Sequence, residues 1–128
     1  MREVGLQMKT GHELLAAAYA AFNAREIDTV LALLDPDVDW PKGLEGRRAH
    51  GREEVRDYWT RQWAEVNPRV EPVGMEDAED GRTLVRVHQV VRDLAGNLLA
   101  DQIVNHVYTI ADGMIVRMEI ESPEAEAA

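Results

Sequence analysis

A cone-shaped α+β roll, a curved antiparallel sheet wrapped around three N-terminal helices, is the fold class the sequence predicts. Three observations predict it. The first half of the chain repeats its apolar residues with a helical period, the period changes to 2 after Asn67-Pro68, and hairpin turns separate the segments beyond that point. Two helices, a short strand, a third helix and a meander can bury their stripes together only if the sheet curls around the helices. At 128 residues the chain has the size of one domain.

Taken in order, residues 1–9 show no clear period, contain Gly5, and read as an N-terminal arm; the domain proper is expected over residues 10–122. Thr10-Gly11-His12-Glu13 fits a capping box, in which the Thr hydroxyl and the Glu carboxylate satisfy free backbone N–H groups. The helix that follows carries Leu14, Leu15, Ala18, Tyr19 and Phe22 on one stripe and ends at Asn23-Ala24-Arg25-Glu26. A shorter helix carries Ile27, Val30, Leu31 and Leu34 and stops at Asp35-Pro36, because proline cannot continue the hydrogen-bond ladder. Asp37 to Pro41 is extended, and Gly43, Gly46 and Gly51 mark a polar loop. The third helix is expected from about Arg52 to Val66, with Glu53 and Glu54 at its positive end and Val55, Tyr58, Trp59, Gln62, Trp63 and Val66 on one face; Asn67-Pro68 ends it.

The strands are then expected at Val70 to Asp77, Thr83 to Arg92, Leu98 to Ile110 and Met114 to Glu121. Glu79-Asp80-Gly81, Ala95-Gly96-Asn97 and Asp112-Gly113 turn the chain between them. Residues 123–128 are acidic and alanine-rich, and read as a flexible tail.

Composition limits the function. Absence of cysteine excludes disulfides and thiolate metal sites, and Met1 opens no secretory leader, so a bacterial cytoplasmic protein is expected. No apolar run approaches the ~18 residues of a membrane span. A formal charge of −10 without a basic stripe speaks against nucleic acid as a partner. Neither a metal nor another cofactor is expected, since His12, His50, His88 and His106 lack ligand spacing.

Three stretches resemble the nuclear transport factor 2-like superfamily, and within it the SnoaL-like group: Tyr19 to Asn23 with Val30 to Val38, Gly51 to Val55, and Ala111 to Arg117. The resemblance spans roughly residues 10 to 121 and implies a small, mostly apolar ligand inside the cone. Matching Asn105-His106-Val107-Tyr108 to the ketosteroid isomerase branch implies that Asn105 points inward, as a neutral donor to a carbonyl or enolate oxygen, and that Tyr19 is a pocket tyrosine. The branch's carboxylate base has no counterpart, because Trp40 stands before Pro41 where it would be.

With Asn105 inward, alternation places Asp101, Ile103 and Val107 inside as well, and Gln102, Val104, His106 and Tyr108 outside. Asp101 is then the acid at the cone's mouth, or else a solvated strand end. His50, in the glycine-rich loop, is a second proton carrier within reach of the mouth. Phe22, Trp40, Tyr58, Trp59, Trp63, Val87, Gln89 and Met118 are the expected ligand-binding residues, and the same side chains also fit a plain core. On the outer face, Leu84, Val90, Val104, Tyr108 and Ile110 give an apolar surface that a second copy would cover, so a homodimer is expected. Three functional readings stay open here. They are a cofactor-independent isomerase, lyase or cyclase acting on a small apolar carbonyl compound, a non-catalytic ligand-binding or sensing domain, and a structural homodimer.

Overall fold

Helix α1 (Gly11–Asn23) buries Leu14, Leu15, Ala18, Tyr19 and Ala21, the stripe its spacing predicts with Ala21 in place of the half-buried Phe22. The computed structural model describes residues 11–42 and 46–121. The expected arm and tail, the Thr10 cap and Gly43 lie outside them.

Helix α2 is shorter than its stripe suggested, running only from Ile27 to Leu31. Asp35 precedes a proline and is therefore held extended. The Ile115 amide also donates to the Leu33 carbonyl at 3.0 Å, drawing the chain into the sheet. Strand β1 (Leu34–Lys42) consequently starts at the residue that was to close the helix. The loop expected next contains a strand of its own, β2 (Arg47–His50), antiparallel to β1. Gly51 then opens helix α3 (Gly51–Trp63) with φ +86°, and a Cβ there would sit 3.3 Å from the Pro36 carbonyl oxygen, so the position needs glycine.

Helix α3 ends at Trp63, three residues before the expected end, and Val66, Asn67 and Pro68 belong to strand β3 (Val66–Asp77). Proline is tolerated there because β3 is an edge of the sheet, where a missing N–H breaks no ladder. Strands β4 (Thr83–Asp93), β5 (Leu98–Ala111) and β6 (Met114–Glu121) complete the antiparallel meander. Asp112 and Gly113, with φ of +55° and +77°, make the tight hairpin into β6.

The six strands lie in the order β2-β1-β6-β5-β4-β3, and β1 runs parallel to β6. The architecture is the expected one, three helices against a curved six-stranded sheet. Val38, Val55, Val85, Val87 and Ile115 are all but fully buried between the layers. At the irregular β1–β6 join the Asp39 carboxylate accepts from Arg48 Nε at 2.5 Å and pairs with Arg117. Arg48 also donates to the Met118 carbonyl oxygen at 2.7 Å, tying the parallel strands where their register shifts. No helix among the described residues is long and apolar enough to cross a membrane.

Candidate functional site

The helices do not fill the concave face of the sheet. They leave a cavity of about 290 Å³, at the small end of the range for small-molecule sites. One wall is aromatic. Trp40 on β1 meets the Trp59 ring edge-on at 5.4 Å between centroids, and Phe22 of α1 meets Trp59 at 5.3 Å. The sheet supplies Gln89, Gln102, Val104 and Met118, and Gln62 and Tyr58 face it from α3. None of the described side chains lining this space carries a formal charge at neutral pH.

Deep in the cavity three polar side chains from α1 and β5 meet. The Tyr108 hydroxyl donates to the Tyr19 hydroxyl oxygen at 2.8 Å, and Tyr19 bonds His106 Nδ1 at 2.7 Å. All three residues are buried. Tyr19 can donate to Nδ1 or accept from it; with Tyr108 donating to Tyr19, donation to Nδ1 is the arrangement that leaves no buried hydroxyl proton unused. The ring proton of neutral His106 therefore sits on Nε2, which has no hydrogen-bond partner among the described residues. Burial lowers the His106 pKa from 6.5 to about 4, so the ring is neutral at pH 7. Burial, reinforced by the neighbouring Tyr108, raises Tyr19 well above its usual value, and burial likewise raises Tyr108. The trio is thus a fixed string of neutral donors ending in an imidazole N–H.

Tyr19, Phe22, Trp40, Tyr58, Trp59, Gln89 and Met118 line the cavity. Trp63 does not; it stacks behind Trp59 at 6.1 Å, with the Arg25 guanidinium 5.0 Å over its ring. Val87 is fully buried beneath the wall. Asp39 faces away from the cavity, as alternation with Trp40 requires. His50 is exposed where β2 meets α3, and contributes nothing to the lining.

The inward face of β5 is the reverse of the expected one. Asn105 is buried on the convex side, opposite Arg86 and Glu121, and does not line the cavity. Asp101 is exposed on that side too, paired with His88 at 2.7 Å. Val104, His106 and Tyr108, assigned to the outside, are within, which leaves Leu84 and Val90 outside beside Ile103 and Val107. A β-bulge causes the inversion. Arg92 lies opposite Leu98 but Val91 lies opposite Ala100, so Leu99 is an extra residue on β5. Without it Val85 would face Asn105; with it Val85 faces His106, and every later side chain changes sides.

Among the described residues no three His, Cys, Asp or Glu side chains gather as a metal centre would need. The chain's sequence matches the SnoaL-like domain family over residues 15–118. Its fold is similar to that of a nuclear transport factor 2-like protein of unknown function from Burkholderia pseudomallei, with 27% identity, a TM-score of 0.77, and 94% of this chain and 95% of that one covered. It is also similar to the protein TerC co-crystallised with polyporic acid, with 26% identity, a TM-score of 0.75, and coverage of 90% and 92%. A candidate polyketide cyclase from Pseudomonas putida shares the fold at 23% identity, a TM-score of 0.78, and coverage of 93% and 96%. No curated protein matches the chain's sequence.

Proposed function

The chain belongs to the SnoaL-like domain family, and we propose that it binds a small, neutral, mostly apolar carbonyl compound in the cone and promotes its enolisation without a cofactor. The observation that carries this reading is the Tyr108–Tyr19–His106 string, which presents one preset N–H donor in an uncharged cavity. A neutral imidazole donating to a carbonyl oxygen stabilises the charge that develops there when a neighbouring carbon loses a proton. His106 acts by hydrogen bonding and keeps its proton. Handing the proton over would leave the charge on a buried tyrosine, and burial raises both tyrosines against that.

No carboxylate lines the cavity among the described residues, so the carbon-bound proton leaves to water or to a basic group of the substrate itself. Isomerisation, elimination and ring closure through an enolate all fit such a site. The same lack of a carboxylate favours a second reading, a binding domain that holds the ketone without turnover.

Acetylnaphthalene separates them. Its fluorescence reports binding, and exchange of its methyl hydrogens in deuterated water, followed by NMR, reports enolisation. The enzyme reading expects binding weakened about tenfold by His106→Leu, the worth of roughly one hydrogen bond, and exchange that the wild type accelerates and the variant does not. Affinity that depends on His106 with no accelerated exchange selects the binding reading. Equal affinity for wild type and variant, both folded by circular dichroism, overturns the role of His106.

A further inference from the structure

The cavity has a second polar end. Gln89 of β4 and Gln102 of β5 are opposite each other in register, both line the cavity, and Gln102 Nε2 donates to Gln89 Oε1 at 3.0 Å. Two primary amides joined by one such bond always leave one amino group and one carbonyl oxygen, whichever way each amide is turned. The pair therefore offers a donor beside an acceptor. The third amide of the lining, Gln62, reaches back to the Tyr58 hydroxyl at 3.4 Å and does not join them.

We propose that Gln89 and Gln102 form an outer subsite for a neutral hydroxyl group, which makes the ligand two-ended: a carbonyl at His106, a flat apolar body, and a hydroxyl at the mouth. This rests on the reading of His106 given above. A hydroxyl donates and accepts at once, as the amide pair does. A carboxylate or an ammonium would find no counter-ion among the described lining residues, and a chain of net charge −10 repels an anion further. Gln102, Val104 and His106 are alternate residues on one strand, so the two polar ends are about 13 Å apart between Cα atoms at ~3.3 Å per residue. Val104 floors the space between them, and Trp40 and Met118 also line it. A span of about 13 Å between Cα atoms accommodates two fused rings with a polar group at each end.

Three ligands test the assignment: acetylnaphthalene, the same ketone with a hydroxyl on the far ring, and the methyl ether of that hydroxyl, which accepts but cannot donate. Wild-type protein is expected to bind the hydroxylated ketone about tenfold more tightly than the parent, and the ether no better than the parent. Gln89→Leu and Gln102→Leu should each reduce the preference for the hydroxylated ketone over the parent to within about twofold. His106→Leu should weaken both ketones and keep the preference. Equal affinities in the wild type, or a preference that survives both glutamine substitutions, would overturn the outer subsite and leave the inner one standing. Binding of neither ketone would overturn both.

Discussion

Protonating His106 is the perturbation that tests the inner site most directly. The ring lies against Tyr19 and Tyr108 with no carboxylate beside it in the cavity wall, and its folded pKa is about 4 against an ordinary 6.5. Between those values the unfolded chain binds a proton that the folded chain refuses. Stability from this group is therefore complete above pH 6.5, rises with pH through the window, and is lost as pH falls towards 4. The difference between 6.5 and about 4, at ~1.4 kcal/mol for each pH unit, amounts to roughly 3 kcal/mol, of which about 2 kcal/mol is gone by pH 4.5. Urea unfolding of the wild type and of His106→Leu, at half-unit steps from pH 7.5 to 4.5, isolates the term, since carboxylates titrating in the same range do so in both proteins. The gap between the two stability curves should narrow by about 2 kcal/mol on acidification. Parallel curves, or an imidazole C–H resonance that titrates near 6.5, would refute the buried neutral ring.

The middle place of Tyr19 in the hydrogen-bond string makes two tyrosine substitutions unequal. Tyr19→Phe leaves the Tyr108 hydroxyl without an acceptor and Nδ1 without a donor, a loss of about 2–3 kcal/mol in urea unfolding. Tyr108→Phe removes one hydrogen bond and should cost about 1 kcal/mol; the opposite order would refute the middle place of Tyr19. Leu99 tests the bulge. Leu99→Ala, at a position 56% exposed, should leave ketone binding within about twofold of wild type, whereas deleting the residue should abolish binding by turning His106 out of the cavity; retained binding in the deletion would refute the bulge as the cause.

The elements were legible because their signals are local. Leu14, Leu15, Ala18 and Tyr19 can share a core only on a helix, and Asp112-Gly113 fits few conformations besides a tight hairpin. Misplaced boundaries have a common cause in contacts remote along the chain. Leu34 has the spacing of a helical residue, yet β6 pairs with it; Pro68 looks like a helix stop, yet it lies in an edge strand. Strand β2 was not legible at all, since its partner β1 determines it and its four residues have no period of their own.

The site was half legible, and the division follows the same line. Tyr19, Trp40 and Trp59 sit on elements whose inward face the apolar spacing sets, so they were found. On β5 apolar content could not choose a face, because Ile103 and Val107 on one side balance Val104 and Tyr108 on the other. The likeness of Asn105-His106-Val107-Tyr108 to a better-known branch decided it, and decided it wrongly. What sets the phase is Leu99, one extra residue next to a turn, visible only when β5 is paired with β4. A phase error leaves strand boundaries intact and replaces every side chain in the cavity. Here it exchanged an amide and a carboxylate, Asn105 and Asp101, for an imidazole and a phenol, His106 and Tyr108. The reading of the chemistry moved with them, from a donor beside an acid at the mouth to a neutral relay that can hold an enolate but cannot itself take the proton.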